Sequence, residues 1–390
     1  MAASPGLPLR SLALRQMMLI AAVFVGVGIT QPFLPAFLLH RGLNPSEVAL
    51  ALAAGSATRL VAGPLLGRLA DRMNNARLLL VGAALLGLLA AGGFGAAAGL
   101  LGFLLAQLVL SIAIAPMAPL SDMLALAAAR QGAFLYGRAR AIGSVAYIVA
   151  AVLGGWLVQW QGLGLVPALV AAAMLLALGA ALCLPRPVAS AARRARNDGG
   201  GFRAVLRQPG FPRLLLLSGL IQSSHAAYYG FGSIHWAAAG HSAGTIGLLW
   251  ALGVLGEVAL FFSGARLTAA IGARGLALLA AGAGVLRWTL MAGTSALPVL
   301  AVTQLLHALT FGAQHLAAMH LLPRLVPPEQ AGTAQALHSA LGVGLLMGAM
   351  TLASGPLYAA FGGGVFLLMA ALCAAAIPLG LALREAREPG

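Results

Sequence analysis

A few side chains that hydrocarbon tolerates poorly interrupt long apolar stretches of this sequence: Arg59, Asp122, Arg140, Glu257 and Arg287, with His225 and His307 among them. A charged group at the centre of a membrane helix costs about 2.5–3.5 kcal/mol on insertion scales, so each requires a partner or a function. The chemistry open to them is narrow. Carboxylate and imidazole take up and release protons, and a guanidinium grips a carboxylate through two parallel hydrogen bonds. An Asp–Arg pair also suits hydroxyl groups, because one member accepts and the other donates. Hydrolytic chemistry is not expected. Every basic residue is arginine, so the lysine of a nucleotide-binding loop is missing. Cys183 and Cys373 make no motif, and the 8 acids are too few for a metal cluster. The expectation is therefore a protein that is not an enzyme and holds no metal or cofactor. Its energy source would be an ion gradient, with protons favoured because the intramembrane titratable groups are carboxylate and imidazole.

Spacing limits which of these groups can meet. Asp122 and Arg140 lie nine positions either side of Gln131. At 1.5 Å rise per residue both stand about 13 Å from that turn, at matching depth. Arg59 precedes Arg68 by nine residues and reaches a similar depth. Further on, Glu257 and Arg287 are each fifteen positions from Gly272, and Arg287 and His307 are each ten from Leu297. Three successive helices thus carry Glu257, Arg287 and His307 at one level. Equal depth permits contact without showing which faces meet. His225 shares its run with Gln222, Tyr228 and Tyr229, and His307 with Gln304 and Gln314, so both are candidates for lining a site. His315, His320 and His338 read as helix–helix hydrogen bonds, and Trp156, Trp160 and Trp236 as anchors at the membrane interface.

The elements that hold these groups must be membrane helices. Of 390 residues 61% are hydrophobic and 8% charged, against roughly 25% charged in a soluble chain, so a fully solvated surface cannot be built. Apolar runs near 17–39, 46–67, 77–97, 100–126, 139–160, 163–184, 213–236, 243–265, 275–294, 297–322, 332–354 and 361–383 predict twelve spans. All of the 23 arginines except Arg41, Arg59 and Arg287 fall on segments that share a side with the N-terminus. This positive-inside pattern places both termini in the cytoplasm and the multi-pass chain in the inner membrane. The net charge of +15 is then a topology signal, with no nucleic-acid partner implied. A shift of 198 residues superposes Gly42 on Gly240, Gly55 on Gly253 and Arg59 on Glu257, so the halves read as repeats. The expected fold is an all-α membrane protein with twelve transmembrane helices in two pseudo-symmetric six-helix bundles. The bundles are residues 1–186 and 213–390, joined by an arginine-rich cytoplasmic linker, 187–212. Such duplication is the architecture of alternating-access carriers, with solute bound near the midplane. Lipid, a small solute and protons are the expected partners, and a monomer the expected state.

Gly67-Arg68-Leu69-Ala70-Asp71-Arg72, followed by Arg77, resembles the loop signature of the major facilitator superfamily, and the resemblance covers the whole chain. It implies close helix approach at Gly67, a conformational lock at Asp71, and a basic completion of the loop by Arg72 and Arg77. Asn74 stands where the family has glycine, and the second copy, 267–274, keeps Gly272 and Arg274 without the acid. Five stretches resemble the phenylpropionate-permease-like branch: Arg41-Gly42-Leu43, Arg59-Leu60-Val61-Ala62-Gly63-Pro64, Tyr136-Gly137-Arg138-Ala139-Arg140, His225-Ala226-Ala227-Tyr228-Tyr229 and Arg287-Trp288. A more distant similarity is to the oligosaccharide/proton symporters, lactose permease among them. That similarity implies that Asp122 and Arg140 hold the solute with Tyr147 stacking on it. It also implies that Glu257, Arg287 and His307 serve substrate binding and proton coupling. Thr310 stands where those symporters carry a coupling carboxylate, three residues after the histidine. Coupling would then fall to Glu257, Asp122 or a histidine.

The function implied is a proton-coupled symporter that imports a small organic solute, an aromatic or other monocarboxylate in the terms of that branch. Arg59 and Arg140 would pair with the carboxylate, Tyr147, Tyr228 and Tyr229 would flank the ring, and His225 would line the site. A sugar or nucleoside symporter is one alternative and an exporter of amphipathic compounds another. A membrane sensor or intramembrane enzyme would differ from all of these by binding solute without flux.

Overall fold

The computed structural model describes residues 9–73, 75–185 and 201–383, with the side chains at positions 63, 64, 67, 68, 70 and 71 outside that set. The described chain is helical almost throughout. In order come α1 (Leu9–His40), α2 (Pro45–Met73), α3 (Ala76–Ala96), α4 (Gly99–Ile114), α5 (Met117–Arg130), α6 (Tyr136–Gln161) and α7 (Val166–Cys183). After a short α8 (Phe202–Leu206) follow α9 (Phe211–Ser223), α10 (Ala226–Ala238), α11 (Ala243–Gly293), α12 (Leu297–His307) and α13 (Gln314–Leu325). The series closes with α14 (Ala331–Leu337), α15 (Leu346–Phe361) and α16 (Val365–Leu381).

Among the described residues eight helical segments are long and apolar enough to cross a membrane. Two of them, Ala243–Gly293 and Pro328–Leu381, are 51 and 54 residues long, enough for two crossings each at about 20 residues per span. With α2 and the α9–α10 pair, these lengths are consistent with the twelve expected spans. The turn inside α11 falls at Gly272, whose φ of 69° and ψ of 173° are non-helical. It is the residue from which Glu257 and Arg287 are equidistant. The repeat is visible in the backbone as well: Gly42 and Gly240, 198 positions apart, have φ of 94° and 91°.

Several predicted spans are broken or wound differently along their length. The run 213–236 is divided between α9 and α10 at Ser224-His225. There the hydroxyls of Ser223 and Ser224 bond the carbonyls of Leu220 and Ile221, 3.3 and 2.7 Å away, and so compete for acceptors with the helical ladder. Pro116, which lacks an N–H, separates α4 from α5. Two segments widen to π-helix, Ala308–Ala313 and His338–Leu345, a form that occurs mostly as single turns inside α-helices and frequently at functional sites.

The chain forms two compact units, Met1–Arg194 with Gly240–Ala251, and Ala195–Ala239 with Leu252–Gly390. In the first, α1 lies along α6 and α7, and α3 along α4 and α7. Gly28 makes the α1–α6 approach possible, since a Cβ there would sit 2.6 Å from the carbonyl oxygen of Tyr147. In the second, α9 packs against α13, α15, α16 and the π-helical 338–345, and α10 against α15. Alanines at 273, 277, 280 and 281 are buried in the core of this unit, where small side chains allow close backbone approach in lipid. Each unit ties its last helix with an arginine. Arg15 Nη1 donates to the Cys183 carbonyl at 2.8 Å, and Arg213 Nη1, again 198 positions on, to the Ala382 carbonyl at 2.6 Å. A cation there satisfies a helix-terminal carbonyl and complements the negative end of the helix dipole.

Candidate functional site

In the second unit the turn at Gly272 returns the chain so that Arg287 reaches the level of Glu257, and α12 brings His307 alongside. The three side chains are in contact. His307 Nε2 lies 2.8 Å from Glu257 Oε1, and Arg287 Nη1 lies 2.9 Å from His307 Nδ1 and 3.0 Å from Thr310 Oγ1. Guanidinium nitrogens only donate, so Arg287 obliges Nδ1 to accept, and a neutral His307 carries its hydrogen on Nε2, directed at Glu257. Thr310 also meets His225, whose Nε2 is 3.0 Å from the same hydroxyl oxygen. His225 Nδ1 is 3.2 Å from the carbonyls of both Ile221 and Gln222, exposed where α9 gives way to α10. Glu257, His307, Arg287, Thr310 and His225 thus form one hydrogen-bonded array.

Aromatic rings enclose it. The Arg287 guanidinium carbon lies 4.6 Å from the Tyr228 ring centre and 4.2 Å from that of Trp288, positions that favour a cation. His225 stacks on Tyr229 at 5.8 Å, and Phe311 on His307 at 5.5 Å. Tyr228 donates to Gln304 Oε1 at 2.8 Å, and Trp288 Nε1 to Ser224 Oγ at 2.9 Å. Arg287 and His225 are fully buried.

The first unit holds a looser set. Tyr147 is buried and donates to Gln31 at 3.2 Å. Asp122 accepts from Tyr136 at 3.1 Å, and the Arg140 guanidinium lies over the Phe24 ring at 4.3 Å. Matching depth does not become an ion pair: among the described residues Asp122 and Arg140 are not bridged, since each finds its contact on another side chain. Arg59 is exposed, and its Nη2 turns back to Ser56 Oγ at 3.0 Å on its own helix. In the loop motif Arg77 donates to the Leu182 carbonyl at 2.8 Å, and Arg72 is exposed. Of Gly67 and Asp71 only the backbone, within α2, is described.

Three readings of individual residues are corrected by the structure: His338, expected to bond a neighbouring helix, is buried with its Nε2 unpartnered, and the other two are His320 and Trp236. His320 bonds the Leu316 carbonyl of its own helix at 2.8 Å instead of bridging two helices, because its exposed ring has an acceptor one turn below. Trp236 is fully buried, 5.9 Å from Tyr228, because α10 turns it inward; Trp156 and Trp160 are exposed. Tyr136, Gln31 and Trp288 are site neighbours that charge-based reading passes over. Their signal is positional: Tyr136 and Trp288 stand in stretches that resemble the phenylpropionate-permease-like branch.

Comparison with known proteins matches residues 18–369 to the MFS_1 like family. The chain is 37% identical over 352 residues to the Escherichia coli (strain K12) "Probable 3-phenylpropionic acid transporter", covering 89% of this chain and 91% of the relative. It is 28% identical over 376 residues to the maltose permease of Geobacillus stearothermophilus, covering 94% and 93%. Its fold matches a crystal structure of a mutant nucleoside transporter NupG with a TM-score of 0.85 at 15% identity, over 96% of this chain and 100% of that one. These relatives are transporters, not enzymes. The chain therefore belongs to the MFS_1-like family and is a multi-pass transporter of the major facilitator superfamily.

Proposed function

We propose that this transporter is a proton-coupled symporter that imports a small aromatic monocarboxylate across the inner membrane, acting as a monomer with both termini in the cytoplasm. The observation that carries the reading is the contact of Glu257 with His307 at 2.8 Å, in an array that also holds Arg287. A carboxylate and an imidazole at hydrogen-bond distance can share a proton, and a cation fixes the neutral tautomer. The 37% identity to a protein named for 3-phenylpropionic acid supports the solute class. Glu257, Arg287 and His307 are assigned to proton coupling. Arg59, Asp122, Arg140, Tyr147, His225, Tyr228 and Tyr229 are assigned to solute contact, and Gly67, Asp71, Arg72 and Arg77 to conformational control. Residues 1–186 and 213–390 are taken as the two bundles that move in transport, with 187–212 between them.

The likeness to the maltose permease and to the nucleoside transporter fold supports a second reading, a sugar or nucleoside symporter. Counterflow in proteoliposomes separates the two. Aromatic monocarboxylates should exchange, and a pH gradient acid outside should drive their accumulation. Exchange of disaccharides or nucleosides with no carboxylate flux overturns the solute assignment, and carboxylate accumulation indifferent to the pH gradient overturns proton coupling.

A further inference from the structure

Arg287 has five N–H groups and uses two. Both hydrogens of Nη1 are taken, by His307 Nδ1 and Thr310 Oγ1, while Nε and Nη2 make no hydrogen bond although the residue is fully buried. A buried donor without an acceptor is costly, and more so when it belongs to a charged group. The unspent atoms are a particular set. Nε–H and one Nη2–H point the same way, side by side, and form the edge that receives the two oxygens of a carboxylate. The guanidinium carbon lies over the rings of Tyr228 and Trp288, 4.6 and 4.2 Å from their centres, so apolar ring surface lies beside these donors.

We propose that this Nε–Nη2 edge of Arg287 is the seat of the solute carboxylate, with the neighbouring rings receiving the solute's aromatic part. The proposal rests on the aromatic-monocarboxylate reading above and names the residue that would recognise it. The three intramembrane arginines differ in this respect. Arg59 is exposed and bonded to its own helix, and Arg140 lies against Phe24, whereas Arg287 is enclosed with three donors idle. Arg287 is fully buried in this structure, and two segments beside it have irregular backbone: the Ser224-His225 junction, whose Ser224 bonds Trp288, and the π-helical Ala308–Ala313, whose Thr310 bonds Arg287. Local rearrangement there does not require a regular helix to be broken.

The same geometry links the seat to the proton. Arg287 holds His307 only while Nδ1 accepts. A proton that makes His307 an imidazolium turns Nδ1 into a donor facing a donor, 2.9 Å from Nη1, and the two cations repel. Arg287 is then released from His307 and retains Thr310. The groups that face His307 across this array are Glu257 and Arg287 on α11 and His225, Tyr228 and Tyr229 from the second half of the α9–α10 segment. Protonation of His307 and binding of an anion at Arg287 should therefore reinforce each other.

The test is binding of 3-phenylpropionate and of its uncharged analogue 3-phenylpropanol to the purified full-length protein by calorimetry. A bidentate charged pair is worth about 1.5–3 kcal/mol, so Arg287→Lys should weaken the carboxylate roughly tenfold or more and leave the alcohol unchanged. Arg41→Lys, in the first unit, where the side chain donates to the Ala97 carbonyl, serves as the control for general damage. Should Arg287→Lys fail to fold, tryptophan fluorescence provides an independent readout. Carboxylate seated beside Trp288 should quench emission in the wild type, and in Trp288→Phe, at solute concentrations that calorimetry shows to saturate the variant, the quench should be gone. Unchanged carboxylate affinity in Arg287→Lys, or a quench that survives in Trp288→Phe, overturns the seat alone. A wild type that binds no aromatic monocarboxylate overturns the solute reading, and the seat with it.

Discussion

Arg287 fixes the tautomer of the imidazole beside it, because a guanidinium can only donate and His307 Nδ1 must therefore accept. Glu257 is then the acceptor for the His307 Nε2 hydrogen. Glu257→Gln keeps an oxygen that can accept this hydrogen but cannot carry a proton. Uphill uptake should be lost while solute counterflow, which needs no net proton movement, continues; accumulation with a wild-type pH profile in this variant would remove Glu257 from coupling. In the first unit Tyr136 holds Asp122 at 3.1 Å. Tyr136→Phe should cost about 1 kcal/mol of stability, the net value of one partly exposed hydrogen bond, and chemical denaturation will measure it. The charged members of both sets were legible in the sequence because hydrocarbon makes a charge conspicuous. Their partners were not. Gln31 is an ordinary residue in a membrane helix until a second helix brings a hydroxyl to it, and Thr310 and Tyr136, marked in the sequence only by resemblance, gave no sign of the groups they meet.

At the scale of the helices, placement depends on a few special backbone positions. Gly28 lets α1 approach α6 at the level of Tyr147, with a would-be Cβ 2.6 Å from the Tyr147 carbonyl and 3.0 Å from Ala150 Cβ. Gly28→Ala should push the two helices apart at about 1–3 kcal/mol, the usual cost of overpacking. Its signature would be a lower unfolding temperature together with weakened Tyr147–Gln31 pairing, visible as altered solute affinity. The turn at Gly272 follows from hydropathy and glycine placement, and so was readable in advance, and the helix lengths are consistent with the twelve spans that hydropathy predicts. The break at Ser224-His225 and the widening of Ala308–Ala313 were not, since hydropathy averages over a window and takes no account of competition for individual carbonyls. Both irregularities adjoin the array, where a regular ladder would have left His225 and Thr310 pointing elsewhere.

For the whole molecule, the distribution of arginines predicts orientation, and the two cysteines allow a direct check. Cys183 is exposed at the end of α7, and Cys373 is buried. With both termini cytoplasmic, a membrane-impermeant maleimide should label Cys183 in inside-out vesicles and leave right-side-out cells unlabelled. Labelling from the outer face would invert the proposed topology. Composition, the spacing of apolar runs and the 198-residue repeat determined by themselves that this chain is a duplicated bundle of membrane helices, and that a few charges sit at shared depths. Those properties are one-dimensional: a helix rises by a constant amount per residue, so depth can be counted along the chain. Which faces meet cannot be counted. Glu257, Arg287 and His307 came together, whereas Asp122 and Arg140, equally matched in depth, turned to Tyr136 and Phe24. Helix rotation is set by the packing of the many small and apolar side chains around each span, and only the tertiary structure settles that balance.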